Sequence, residues 1–190
     1  MRVFISGGSK SGKSSLAERL SQKMRKPHTP LYYLATMIPK DSEDEARILR
    51  HRQERESCGF ETVESGRDIL TVVGACDWNG VFLLDSVTAL LANEMFGSAL
   101  DNHVNPHACK KVADDLTKLI SRASDTVIVS DYIYSDAFIY DELTELYRRG
   151  LAYIDRRMAM LCDVVLEACW DNYIIHKGDD IYMEFTHGFI

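Results

Sequence analysis

Residues 3–14 decide the fold: Val3-Phe4-Ile5-Ser6-Gly7-Gly8-Ser9-Lys10-Ser11-Gly12-Lys13-Ser14. From Gly7 onward they satisfy the pattern G-x-x-x-x-G-K-[ST], between an apolar run and a helical pattern. Glycines let the backbone turn tightly and point several N–H groups at phosphate oxygens, and the start of the following helix adds its positive dipole. Lys13 is expected on the β- and γ-phosphates and Ser14 on Mg²⁺. The loop is therefore predicted to bind nucleotide phosphates through Gly7, Gly8, Ser9, Lys10, Ser11, Gly12, Lys13 and Ser14.

The rest of the chain alternates short apolar runs with longer helical patterns. Strands are predicted at residues 2–6, 31–35, 60–63, 80–84, 126–130 and 164–166, and helices at 13–24, 41–56, 68–76, 87–96, 106–123 and 137–161. This alternation indicates an α/β fold with a mostly parallel sheet, helices on both faces and a P-loop NTPase-like layout. Two apolar runs, 173–176 and 181–185, flank Lys177-Gly178-Asp179-Asp180 and predict a C-terminal β-hairpin. The length fits a single nucleotide-binding domain over residues 1–190.

Composition argues against several classes of protein. The net charge of −7 and the pI of about 5.4 lack the basic surplus of a nucleic-acid-binding protein. No apolar run approaches the roughly 20 residues of a transmembrane helix, so we expect no membrane span. The five cysteines are odd in number and scattered, which favours reduced thiols in the cytoplasm over a disulfide framework or a zinc site.

A P-loop enzyme also needs a carboxylate at the end of a neighbouring strand to hold Mg²⁺. Asp85 follows the apolar run 81–84 and is the first candidate for this role. Asp131, which follows the run 127–130, is the alternative, and an acid that merely caps a helix explains either position equally simply. We predict Asp85 as a catalytic residue and, together with Ser14, as a metal ligand.

The predicted helix 41–56 has few apolar side chains and one informative spacing. Arg47, His51 and Arg55 lie four residues apart and therefore share one helix face. Two guanidinium groups disfavour the imidazolium form, which would leave His51 neutral and nucleophilic beside cations that can bind a triphosphate. A solvated, salt-bridged surface helix explains the same spacing, and the spacing alone favours that plainer interpretation.

Further motifs follow the P-loop in a fixed order. They are Tyr33-Leu34-Ala35-Thr36, Ala46-Arg47-Ile48-Leu49-Arg50-His51-Arg52, Thr62-Val63-Glu64 and Leu83-Leu84-Asp85-Ser86-Val87-Thr88, with Asn93 after them. In order and spacing, over roughly residues 3–170, they resemble the bifunctional adenosylcobinamide kinase/adenosylcobinamide-phosphate guanylyltransferase family of cobalamin biosynthesis. The P-loop is the most specific single motif, and the combination is specific as a whole.

The resemblance implies a function for His51 that its spacing alone does not. In that family, one step phosphorylates the hydroxyl of the aminopropanol arm of adenosylcobinamide. A second step moves GMP from GTP onto an enzyme histidine, which His51 matches, and then onto the new phosphate. The resemblance therefore implies ATP and GTP as substrates, Mg²⁺ as cofactor, a corrinoid acceptor, a homo-oligomer, and His51, Lys13 and Asp85 as catalytic residues. It extends the nucleotide site to Ala35, Thr36, Met37, Arg47, Arg52, Arg55, Glu64 and Asp85.

Two stretches depart from that family. Its T-N-E-V-G-x-G stretch after the fifth strand is here Ser130-Asp131-Tyr132-Ile133-Tyr134-Ser135-Asp136-Ala137, and Arg52-Gln53-Glu54 replaces a Lys-Asp-Gly run. We therefore expect weak or altered use of the acceptor. A small-molecule kinase with another acceptor and a nucleotide-binding module without chemistry remain alternatives. Asp85 and the Arg47/His51/Arg55 face favour an enzyme, because a pure binding module needs neither.

The predicted helix 137–161 carries four arginines in two pairs. Arg148, Arg149, Arg156 and Arg157 are expected on its exposed face or, given the resemblance, at a subunit interface.

Overall fold

A seven-stranded sheet organises the protein in the computed structural model, which describes residues 1–39, 49, 58–97, 104–170 and 172–187. Its strands are β1 Arg2–Gly7, β2 Leu31–Ala35, β3 Glu61–Glu64, β4 Val81–Asp85, β5 Asp125–Asp131, β6 Val164–Cys169 and β7 Asn172–Lys177. The strand order is β3-β2-β4-β5-β1-β6-β7, and only the pairing of β6 with β7 is antiparallel. The mostly parallel sheet predicted from the sequence is confirmed.

Five of the described helices lie between strands in the sequence, and the sixth follows the last strand. They are α1 Lys13–Met24, α2 Ile69–Val73, α3 Val87–Phe96, α4 Ala108–Arg122, α5 Glu142–Leu161 and α6 Asp179–His187. Within the described ranges, no helix combines the length and the apolar character needed to cross a membrane.

Both faces of the sheet are buried, because alternate strand residues pack against different helices. Phe4 and Phe82 belong to a core formed with α2, α3, α4 and α5. Ile5 and Leu83 point the other way, into a core formed with α1 and with Tyr182 of α6. This arrangement explains the continuous apolar runs of the strands, since neither face of a central parallel strand meets water.

The end of the chain forms a hairpin, but not from the two runs that the sequence suggested. β7 pairs with β6, whereas residues 181–185 lie in α6, so their assignment as a strand is wrong. Gly178 has φ +78°, which breaks the strand, and the next two residues place carboxylates in the first turn of a helix. Tyr182 is 2% exposed, and Phe185 packs against the same core one turn later.

The long helix begins later than predicted, at Glu142 instead of near Ala137. Asp141 caps it, because its side chain accepts hydrogen bonds from the backbone N–H groups of Leu143 and Thr144, both at 3.1 Å. Residues 132–141 therefore form an irregular segment between β5 and α5.

Candidate active site

The carboxyl ends of the parallel strands bring the predicted site residues to one edge of the sheet. Gly7 at the end of β1 is in register with Asp131 at the end of β5. Ala35 at the end of β2 is in register with Asp85 on one side and Glu64 on the other. Ligands of open α/β sheets bind at this edge.

The glycine loop between β1 and α1 depends on close backbone packing. A Cβ on Gly7 would lie 2.6 Å from the carbonyl oxygen of Ala168 and 2.8 Å from Ser11 Oγ. Gly12 has φ +86° directly before α1, and Lys10 also has a positive φ of 58°. No side chain within the described parts of the chain caps α1. Its first backbone N–H groups are therefore available to an anion.

Lys13 lies inside this loop with a side chain that is only 6% exposed. Its Nζ donates to the carbonyl oxygen of Gly8 at 2.5 Å and lies 2.7 Å from Asp131 Oδ1. The ammonium thus occupies the concave side of the loop, where the motif predicts phosphate oxygens. Ser14, one residue later, is exposed.

Asp85 is partly exposed at the end of β4, two strands away from β1 with β5 between them. Its Oδ2 accepts a hydrogen bond from the hydroxyl of Tyr33 at 2.8 Å. This contact orients the carboxylate at the sheet edge. A carboxylate here and a hydroxyl at the start of α1 are the oxygen ligands that suit Mg²⁺.

A hydrogen-bond network connects the end of β2 to the neighbouring strand ends. Thr36 is fully buried, and its Oγ1 accepts from the backbone N of Ser86 at 2.6 Å and donates to the carbonyl oxygen of Ser86 at 2.8 Å. The Asn93 side chain donates to the carbonyl oxygens of Thr36, at 2.7 Å, and Gly66, at 3.0 Å. The residues after β2, β3 and β4 are therefore held together as one rim.

Thr88, on the first turn of α3, joins β5 and α5 to this rim. Its Oγ1 accepts from the backbone N of Asp131 at 2.9 Å, and its carbonyl oxygen accepts from the hydroxyl of Tyr147 at 2.8 Å. Asp131 is thereby fixed through its main chain while its carboxylate faces Lys13.

A buried acid lies behind the end of β5. Asp155 on α5 is 3% exposed, and its Oδ2 accepts from the hydroxyl of Tyr134 at 2.9 Å. Burial raises the pKa of Asp155 to about 7 and the charge of Asp131 acts in the same direction, whereas the hydroxyls of Ser130 and Tyr134 favour the carboxylate and oppose both. The contact of Ser130 is too poor in geometry to count as a full hydrogen bond to Oδ1, and such an oxygen costs less to bury on a neutral acid than on a carboxylate.

Arg148 organises the segment after β5. Its Nε donates to the carbonyl oxygen of Ile133 at 3.1 Å, its Nη2 to Asp136 Oδ1 at 2.8 Å, and its Nη1 to Glu145. Its guanidinium also lies 4.6 Å from the ring centroid of Tyr140. One buried cation therefore contacts both ends and the middle of residues 133–145.

The predicted exposure of Arg148 is wrong. The residue is 7% exposed, because it shares the inner face of α5 with Leu151 and Asp155, three and seven residues later. Arg149 and Arg156 are exposed, as predicted. Arg157 is partly exposed and forms a salt bridge with Asp114.

The structure places the predicted residues that it describes at one edge of the sheet. Ala35, Thr36, Glu64 and Asp85 lie on or just after strands that are two to four positions from β1, and Met37 follows Thr36 with 49% of its surface exposed. The predicted helix 41–56, with Arg47, His51, Arg52 and Arg55, lies outside the described residues apart from position 49.

Several rim residues were not predicted as site residues. Thr88, Asn93 and Tyr33 appeared only as parts of motifs. Arg148 appeared only in a charge pattern that predicted exposure, and Asp155 gave no sequence signal, because the roles of both depend on contacts across the chain.

The strand order, the glycine loop between β1 and α1, and the acidic ends of β4 and β5 define a P-loop NTPase-like α/β protein. Solved structures with this fold include the flagellar accessory protein FlaH from Methanocaldococcus jannaschii, with a TM-score of 0.51 and 12% identity over 93% of this chain and 77% of that chain. Another solved structure, that of an ATPase domain, has a TM-score of 0.51 and 12% identity over 94% of this chain and 77% of that chain. At this identity the likeness shows the fold alone.

The chain belongs to the cobinamide kinase / cobinamide phosphate guanyltransferase (CobU) family, whose model matches residues 3–170. The bifunctional adenosylcobalamin biosynthesis protein CobU of Escherichia coli (strain K12) is 35% identical over 97 residues, which are 50% of this chain and 51% of that protein. The matched part thus spans about half the length of this curated relative. The resemblance seen in the motifs is confirmed at the level of the family.

Proposed function

We propose that this protein phosphorylates adenosylcobinamide and transfers GMP from GTP to the phosphorylated product through a guanylylated histidine, in cobalamin biosynthesis. One observation carries the proposal. The ammonium of Lys13 lies inside the glycine loop, at the same sheet edge as Asp85, and residues 3–170 match the cobinamide kinase / cobinamide phosphate guanyltransferase family.

The glycine loop supports binding of ATP and GTP. A triphosphate can accept hydrogen bonds from the N–H groups at the start of α1, and Lys13 can bind its β- and γ-oxygens. Ala35, Thr36, Met37 and Glu64 contact the nucleotide in this proposal, because they lie at the same carboxyl edge of the sheet as the loop.

The donor set at this edge fits Mg²⁺. Ser14 and Asp85 would hold the ion, which would neutralise charge that develops on the phosphates. Among the described residues, no group of three or more acidic, histidine or cysteine side chains could hold a metal. An ion that arrives with the nucleotide needs few protein ligands, because Mg²⁺ keeps waters and phosphate oxygens in its shell.

The guanylyl step is assigned to His51. Its ring nitrogen attacks the α-phosphorus of GTP, a P–N bond forms, the bond between the α-phosphorus and the bridging oxygen breaks, and pyrophosphate leaves. Arg47, Arg52 and Arg55 are proposed to bind the nucleotide and the leaving group. An oxygen of the phosphate made in the first step then attacks the same phosphorus, the P–N bond breaks, and the GMP passes to that phosphate while His51 is regenerated.

A second candidate function is a kinase with another acceptor. The segment clamped by Arg148 favours it, because this segment replaces the family's Asn-Glu pair and glycines with a side-chain network. We also propose a homo-oligomer, by analogy with the family, and a cytoplasmic location, which suits the five free thiols.

Mass spectrometry after incubation with GTP and Mg²⁺ tests the proposal. We expect a GMP adduct on His51 that is labile in acid and stable in base, as a phosphoramidate is. His51→Ala should lose the adduct and guanylyl transfer but keep ATP-dependent phosphorylation, because that step needs no protein nucleophile. Arg50→Ala is the matched control and should keep the adduct. An adduct that persists in His51→Ala, or its absence from wild-type protein that phosphorylates the corrinoid, would favour the plain kinase.

A further inference from the structure

The ion pair between Lys13 and Asp131 links the phosphate loop to the strand beside it. The two side chains are 2.7 Å apart, and they are 6% and 30% exposed respectively. The main chain fixes Asp131 from two directions, since its own N donates to Thr88 Oγ1 and the N of Tyr132 donates to the carbonyl oxygen of Gly7 at 3.3 Å. The main chain at Asp131 is therefore held against the loop independently of the ion pair.

A bound triphosphate must compete with Asp131 for the same ammonium. The P-loop lysine binds the β- and γ-oxygens, and several phosphate charges outweigh one carboxylate. Once Lys13 turns to the phosphates, the carboxylate of Asp131 loses the cation that lies 2.7 Å from it, beside the loop in which phosphates are expected. Asp131 is also the last residue of β5, where the segment 132–141 leaves the sheet.

We propose that Asp131 is a catalytic residue of the phosphoryl-transfer step: it holds Lys13 while the loop is empty, releases Lys13 to the incoming triphosphate, and then accepts the proton of the acceptor hydroxyl. As the hydroxyl oxygen forms its bond to the γ-phosphorus, the bond from that phosphorus to the β,γ-bridging oxygen breaks. ADP leaves, and the proton remains on Asp131. This role rests on the proposed kinase function.

The surroundings separate Asp131 from the other acids. Asp85 accepts a hydrogen bond from Tyr33 and lies two strands from β1, whereas Asp131 is on the adjacent strand. Asp155 is buried and accepts from Tyr134, so it is closed to a substrate. Of these three acids, Asp131 is thus the one that is both partly exposed and paired with the P-loop lysine.

Nucleotide affinity tests the release of Lys13 without any acceptor. Titration calorimetry with ATP and Mg²⁺ should show that Asp131→Asn binds about 3- to 10-fold more tightly than wild type, because a competing negative charge is gone. The matched control is Asp114→Asn, which removes a salt bridge of similar length to Arg157 on the helical side and should leave the affinity unchanged. If Asp131→Asn binds ATP as tightly as wild type or more weakly, Asp131 does not compete with ATP for Lys13.

The rate of phosphorylation tests the proton transfer. At saturating ATP and acceptor, Asp131→Asn should lower kcat about 10²-fold, the scale of a lost general base, and Asp131→Glu should recover part of it. The dependence on Mg²⁺ concentration should stay as in wild type. A wild-type kcat for Asp131→Asn would show that Asp131 is not the general base. A shifted Mg²⁺ dependence would make Asp131 a metal ligand instead.

The two arms separate this proposal from the proposed function. Wild-type protein that phosphorylates no corrinoid removes the proposed function and the proton transfer with it. Tighter ATP binding by Asp131→Asn would still establish the release of Lys13. An active wild type with an unaffected Asp131→Asn overturns the role of Asp131 alone.

Discussion

Two loops leave the same edge of the sheet from neighbouring strands, and they are built in opposite ways. The loop after β1, residues 8–12, is formed by main chain and leads into α1, whose start no side chain caps within the described residues. The segment after β5, residues 132–141, is held by the side chain of Arg148 and leads into α5, which Asp141 caps. The first loop leaves donors available, and the second pairs several of its polar groups with Arg148 and with one another.

This difference indicates a division of labour between the loops. Free N–H groups and a lysine suit phosphates, which need donors and positive charge. The clamped segment presents apolar side chains to solvent instead, with Phe138 75% and Ile139 94% exposed. We infer that the loop after β1 binds the nucleotide, and that the segment after β5 faces the acceptor through shape and apolar contact.

The largest effect is expected from Lys13→Ala. Loss of the charge-assisted contact should weaken binding of ATP and GTP about 10- to 100-fold, and every activity should fall with it. Lys23→Ala is the matched control on the same helix, where Lys23 donates to the carbonyl oxygen of Thr186. Titration calorimetry compares them, and equal affinities for all three proteins would remove the phosphate role of the loop.

The glycines of the first loop provide a second test. Gly7→Ala should lower the free energy of unfolding by about 1–3 kcal/mol, because its Cβ would overlap the backbone of Ala168. Gly8→Ala should leave stability within about 0.5 kcal/mol, because nothing lies within 4 Å of its Cβ, and yet weaken ATP binding, because that open space is where phosphates are expected. Denaturant unfolding and calorimetry measure both quantities. Equal stability of the two variants would contradict the packing.

Arg148→Ala tests the second loop. Loss of the buried guanidinium leaves Asp136 and Glu145 without their cation, so the free energy of unfolding should fall by about 2–3 kcal/mol. The KM for the acceptor should rise while ATP affinity stays within about twofold, an outcome specific to an acceptor-facing loop. Arg149→Ala, at the exposed neighbouring position, should change neither. An ATP affinity that falls by the same factor as the acceptor KM rises would contradict the proposed difference between the two loops.

The smallest effect concerns Asp155 and pH. Burial raises its pKa to about 7 in the folded protein from an ordinary value of 3.8, so the folded state binds the extra proton between these pH values. Its contribution to stability is complete below about pH 4 and is lost as the pH rises through 7. Asp155→Asn keeps the Tyr134 contact and should flatten the fall in Tm between about pH 5 and 8. An unchanged slope would show that Asp155 is ionised throughout.

The sequence predicts the structure of the first loop well because that structure is local. Gly7, Gly12 and Lys13 lie within one strand–loop–helix unit, and Asp85 lies at a strand end. The register of the sheet then places them at one edge, as any parallel sheet must.

The second loop could not be predicted in this way. Arg148 contacts Ile133, fifteen residues earlier, and the charge pattern of α5 alone suggests an exposed position. The run 181–185 fits strand alternation, but Tyr182 and Phe185 also fit one face of a helix, and only the break at Gly178 decides between the two.

The most direct test of the account is transfer of label from γ-labelled ATP to adenosylcobinamide. The account predicts labelled corrinoid phosphate from the wild-type protein. It predicts a rate lower by about 10²-fold or more for Asp85→Asn, whose Tm should stay within a few degrees, because the loss is electrostatic and not structural. No labelled corrinoid from wild-type protein, or a full rate from Asp85→Asn, would contradict it.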